Sequence, residues 1–86
     1  MSNSTSNDAI ADKLLDLAQR RGTDKTLCPS EVARALKPEN WRELMPTVRE
    51  VAWQLADNDR IVVTQHGERV DRSADGPLRY GLPKAD

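Results

Sequence analysis

Residues 40–58 read NWRELMPTVREVAWQLADN, and this stretch decides the fold. Asn40 suits an N-cap, because its side-chain oxygen can accept an orphan N–H of the first turn. Glu43 stands three residues on, as in a capping box. Pro46 interrupts that start: inside a helix a proline removes one hydrogen bond and clashes with the preceding turn, at about 3 kcal/mol. The stretch therefore divides. Trp41–Met45 reads as a helical turn or kinked lead-in, and the main helix starts at or near Pro46, where the missing N–H costs nothing. Val48, Val51, Ala52, Leu55 and Ala56 then fall at i, i+3, i+4, i+7 and i+8, one apolar face of an α-helix. Asp57-Asn58-Asp59 is a turn-rich ending without a glycine cap.

The opposite face carries Arg49, Glu50, Gln54 and Asp57, with Trp53 on its border. In a DNA major groove, Arg49 would suit guanine and Gln54 adenine. Glu50 and Asp57 oppose a polyanion, and at about 100° per residue they lie near the centre of the same face. A solvated charged face explains the pattern equally well.

Upstream, Pro29 opens a second helix at its first position, with Glu31 in the first turn and Val32, Ala33 and Leu36 as a compact apolar face. Lys37-Pro38 stops it, since a residue before proline is pushed out of the α region. Two helices joined by a few polar residues form the helix-turn-helix pattern. Further upstream, Asn7 or Asp8 caps a first helix whose stripe is Ile10, Leu14, Leu17 and Ala18, widened by Leu15. Arg20-Arg21 and Gly22 end it. The arginines could clamp a phosphate, but the preference for cations in a last helical turn explains them without function. Thr26-Leu27-Cys28 reads as a stub strand.

Downstream, Ile61–Gln65 has the composition of a strand, and Leu78–Leu82 alternates like a half-buried one. Between them His66-Gly67 is a turn signal, Glu68–Val70 can continue a strand before the loop opens at Asp71, and Asp75-Gly76-Pro77 is a second turn. The order helix, stub strand, helix, helix, strand, long turn, strand predicts a winged helix-turn-helix, α+β but mainly α. It occupies residues 8–82, with disordered tails at 1–7 and 83–86. The expected core is Leu14, Leu17, Val32, Leu36, Val48, Val51, Leu55, Ile61 and Val63. Leu78, Tyr80 and Leu82 share the strands' core side, and Trp41 packs locally at the helix start.

With 86 residues the chain holds at most one domain, and a core of that size is marginal without efficient packing or a partner. Lys and Arg number 13 against 14 Asp and Glu, so the net charge is −1, whereas a dedicated DNA-binding module is usually basic. No apolar run approaches a membrane span, and MSNSTSN lacks the features of a signal peptide, so the Asn3-Ser4-Thr5 sequon carries little weight. Cys28 is the only cysteine, which excludes an intrachain disulfide and a thiolate zinc cluster. A reduced, largely buried thiol in a cytoplasmic protein is the simplest reading.

The runs CPSEVARAL, WRELMPTVREVAWQLADNDRIVVTQ and GPLRYGL together resemble a bacterial domain-of-unknown-function family of short winged-helix proteins. The resemblance covers residues 8 to 82. Its specific part is the WRxLMPxVR block followed by IxVTQ and GPxR; SEVARAL is common in second helices of this kind. It implies the fold and a bacterial cytoplasmic origin, and no activity, ligand or site residues.

No catalytic constellation is present. His66, the only histidine, sits in a turn without partners for a metal or a nucleophile. No glycine-rich phosphate loop occurs, and Asp57, Asp59 and Asp71 lack a cation-loop spacing. The chain is therefore expected to be a binding domain and not an enzyme, with no cofactor, metal, membrane or small-molecule ligand implied. One expectation is duplex DNA in transcription regulation, with Arg42, Thr47, Arg49 and Gln54 in the major groove and Arg69 and Arg72 of the wing on the backbone or in the minor groove. The other is an adaptor or homodimer that uses Trp53 as an interface anchor.

Overall fold

The computed structural model describes residues 6–23, 25–74 and 76–83. Helix α1 runs Asn7–Arg21, α2 Pro29–Leu36 and α3 Met45–Asp57. Strands β1 Val62–Gln65, β2 Glu68–Arg69 and β3 Arg79–Gly81 form one antiparallel sheet in the order β2-β1-β3. Leu27, the one bridged residue of the expected stub strand, pairs with Tyr80 on the open edge of β3, exchanging two N–H···O bonds of 2.8 Å. The three helices, the sheet and this topology are the winged-helix arrangement the sequence predicts.

The helix ends follow local chemistry, with two corrections. Ser6, rather than Asn7 or Asp8, caps α1: its hydroxyl accepts the Ala9 N–H at 3.1 Å. Asn7 thus lies in the helix and not in the tail; the rest of the expected N-terminal tail, residues 1–5, lies outside the described residues, as do residues 84–86. Asn40 does not cap by its side chain. It takes the left-handed conformation (φ +59°), and Glu43 turns away to Lys37 Nζ at 2.9 Å. Pro46 produces the predicted break: Trp41–Leu44 is a 3₁₀ turn, and the proline sits in the first turn of α3. At the other end Asp59 (φ +59°) does the work of the missing glycine. The Asp59 N–H bonds to Ala56 O and the Arg60 N–H to Leu55 O, a Schellman ending.

The core gathers Ile10, Leu14 and Ala18 of α1, Val32 and Ala33 of α2, Val48, Val51 and Ala52 of α3, and Leu27, Ile61, Val63, Leu78 and Tyr80. Leu17, Leu36 and Leu55, expected inside, are only half-buried and pack against its rim; Leu82 does the same. Ala18, Ala33 and Ala52, one from each helix, are fully buried in the core.

The wing is a hairpin within the longer β1–β3 connection. His66 and Gly67 both have positive φ (+54° and +84°), as a two-residue turn of the primed type requires, and Gln65 pairs with Glu68 and Thr64 with Arg69. A Cβ at Gly67 would meet no atom within 4 Å, so Gly67→Ala isolates the backbone penalty. It is expected to lower stability by about 1–2 kcal/mol, read as a fall in melting temperature. Beyond Val70 the chain turns at Asp71, whose carboxylate accepts the Ser73 N–H and hydroxyl, and crosses to β3 through Gly76 (φ +93°) and Pro77. These hydrogen bonds hold the Asp71 carboxyl below its ordinary range.

Candidate nucleic-acid interface

Helix α2 begins at the stub strand, and three elements meet there. Cys28 takes extended backbone angles at the N-cap, Pro29 is the first helical residue, and Glu31 reaches back to accept the Cys28 N–H at 2.7 Å. Partial burial alone would raise the Glu31 carboxyl. The Cys28 N–H and the Arg21 guanidinium outweigh it and hold the group below its ordinary value. Arg21 also donates to Thr26 O at 3.0 Å, and Arg20 pairs with Asp16 one turn back. Arg21 thus ties the end of α1 to the stub strand and α2, while Arg20 pairs within its own helix.

Arg79 projects from β3 along the same edge. Its Nε donates to Thr26 Oγ1 at 3.0 Å, Nη2 to Thr26 O at 3.2 Å and Nη1 to Cys28 Sγ at 2.9 Å. Close approach is possible because Gly81, two residues on, has no side chain; a Cβ there would stand 3.2 Å from Thr26 Cγ2. Cys28 is partly exposed rather than largely buried, since the single stub residue leaves its flank uncovered. Arg49 and Met45 of α3 face Cys28, Ser30 and Arg79 across an open cleft.

The expected contact residues divide into two groups. Arg42 and Arg49 are exposed in the 3₁₀ turn and the first half of α3, and neither forms an ion pair among the described residues. Thr47 lies half-buried between them, and Gln54 is exposed farther along. The acidic side chains of α3 are consumed internally. Arg72 folds back from the wing loop and reaches Asp57 Oδ2 at 2.7 Å and Glu50 Oε2 at 3.5 Å. The two carboxylates that opposed a polyanion in the sequence are the counter-ions of the wing arginine expected to contact one. Arg69 is exposed on β2 and makes no ion pair among the described residues.

Trp53 is half-buried. Its ring lines a groove between α3 and the wing, with Ala56, Val63, Val70 and Arg72 among the walls. Trp41 bridges α2 and the 3₁₀ turn, and the Arg34 and Arg42 guanidinium carbons stand 4.4 and 4.8 Å from its ring centroid. Arg34, Arg79 and the role of Trp41 escaped the sequence reading. Arg34 had a weak signal, its place one turn from Ser30 on the polar side of α2. Arg79 had none, because its partners lie more than fifty residues away.

Among the described residues no group of three metal-ligating side chains exists, and no helix is long and apolar enough to cross a membrane. No curated protein matches the chain. Residues 7–83 match the family described as protein of unknown function, DUF3253, in agreement with the blocks quoted from α2, α3, β1 and β3. With that match over almost its whole length, the chain belongs to the DUF3253 family.

Proposed function

We propose that this domain binds duplex DNA as a small regulatory module of the bacterial cytoplasm. The observation that carries the reading is the separation of charge on its outer face. Arg42 and Arg49 form no ion pair among the described residues and, with Arg79, lie around the starts of α2 and α3, while Arg72 offsets one of the two negative charges of Glu50 and Asp57. Net charge therefore understates the potential that a polyanion would meet there. In this reading the 3₁₀ turn and α3 enter the major groove with Arg42, Thr47, Arg49 and Gln54. Arg79 meets a flanking phosphate beside the start of α2, where the helix dipole also favours an anion. Arg69 contacts the backbone from the wing.

The test is fluorescence anisotropy of a labelled random-sequence duplex with the full 86-residue chain at 50 and 200 mM salt. The reading expects binding that weakens steeply with salt as counterions are released. Absence of binding at 50 mM would remove it. Trp53 supports a second reading, an adaptor or a homodimer, because its half-exposed ring lines an open groove. In that case Trp53→Ala weakens self-association in sedimentation and leaves DNA affinity unchanged.

A further inference from the structure

Trp41 holds two arginines from two different elements, and neither forms an ion pair among the described residues. Arg34 comes from the last turn of α2 and Arg42 from the 3₁₀ turn, and both guanidinium groups stand within 5 Å of one indole centroid. The two charges therefore lie within about one Debye length of each other, about 10 Å at 0.1 M salt. The carboxylates of the same turn do not relieve them. Glu43 is held by Lys37 at 2.9 Å, and Glu39 is exposed and makes no ion pair among the described residues. A cation in a last helical turn accounts for Arg34 by itself, but not for a second arginine drawn to the same ring.

We propose that Arg34, Trp41 and Arg42 form a phosphate-contacting fork for the sugar–phosphate backbone of a duplex, beside the groove that α3 enters. This rests on the DNA reading above and names a contact that the first half of α3 does not supply. Stacking on the indole fixes each guanidinium plane and leaves its N–H edges free, so a phosphate meets donors whose side-chain freedom is already restricted. Trp41 is itself half-buried against the core, which ties the fork to the body of the domain rather than to a loose side chain. Arg42 then serves at the border of groove and backbone, and Arg34 wholly on the backbone.

The experiment measures anisotropy of several unrelated 20-base-pair duplexes between 50 and 200 mM salt. It compares the wild-type chain with Arg34→Gln, the double variant Arg34→Gln/Arg42→Gln, Trp41→Leu and Trp41→Phe. Circular dichroism confirms that each is folded. Arg34→Gln is expected to weaken binding roughly three- to tenfold on every duplex and to reduce the salt slope by about one, and the double variant by about two. Trp41→Leu should approach the double variant in affinity because its arginines lose their platform, and Trp41→Phe, which keeps a ring face, should restore most of the loss. If the wild type binds but the double variant binds as tightly and with the same slope, the fork is wrong and the DNA reading stands. A loss confined to one duplex sequence would also overturn it, since a backbone contact carries no sequence preference. If the wild type binds no duplex at 50 mM salt, both fall together.

Discussion

Tyr80→Ala is expected to remove about 3–5 kcal/mol of stability, a large share of what a domain of this size possesses. In a thermal melt that is a fall of more than about 12 °C. The reason is the position of Tyr80 at the junction of every layer. It pairs with Val63 in β1, bridges to Leu27 ahead of α2, and is the largest fully buried side chain. Truncation would leave a cavity that three separate elements must collapse to fill. Tyr80→Phe should behave oppositely. The phenolic hydroxyl is buried and has no hydrogen-bond partner among the described residues, so its removal relieves a desolvation cost and should be neutral or stabilising by up to about 1 kcal/mol. A loss above that amount would show that the hydroxyl has a partner after all. Burial also raises the Tyr80 phenol well above its ordinary value, with the nearby Arg49 charge opposing in part. The folded state thus keeps its proton where the unfolded chain releases it. Stability from this residue is complete below about pH 10 and is lost as pH rises through the folded-state value. Tyr80→Phe should lack that alkaline loss.

The elements were legible in the sequence because their signals are local. Pro46 divided the 3₁₀ turn from α3, the stripe from Val48 to Ala52 gave its buried face, and His66-Gly67 placed the hairpin turn. The failures share a cause as well. Asn40 and Glu43 have the composition of a capping box, but the chain must change direction after Pro38, and Asn40 spends its tolerance of positive φ on that turn. Leu55 has the right phase for the core, yet it lies in the last turn of α3 and is only half-buried. The candidate site was less readable than the fold. Arg49 and Gln54 follow from the helical phase of α3. Which arginines are spent on carboxylates depends on contacts such as Arg72 with Glu50, twenty-two residues apart, and no periodicity reports those.

The double variant Glu50→Gln/Asp57→Asn is expected to raise affinity for random duplex DNA by tenfold or more at 50 mM salt, the largest gain of any surface change considered. Two effects combine. Removing both carboxylates takes the formal net charge from −1 to +1 and clears the outer face of α3 of its acids. It also frees Arg72, which is otherwise held by Asp57 at 2.7 Å and Glu50 at 3.5 Å. Stability should scarcely change. The three side chains keep 48%, 57% and 62% of their surface exposed, and pairs so solvated contribute about 0–1 kcal/mol. The same weakness means that phosphates can displace the carboxylates in the wild type, at the cost of part of the binding energy. Arg72→Ala should accordingly weaken wild-type binding less than Arg49→Ala does, because Arg72 must first give up its partners and Arg49 forms no ion pair among the described residues. In the Glu50→Gln/Asp57→Asn background the order should change: Arg72→Ala should then cost as much as any wing phosphate contact and lower the salt slope by about one. Anisotropy titrations of the wild type, the double variant and each with Arg72→Ala form a complete cycle. Equal effects of Arg72→Ala in both backgrounds would mean that the Glu50–Arg72–Asp57 network does not restrain the wing arginine. An unaltered affinity in the double variant would mean that the acidic face of α3 stays away from the duplex.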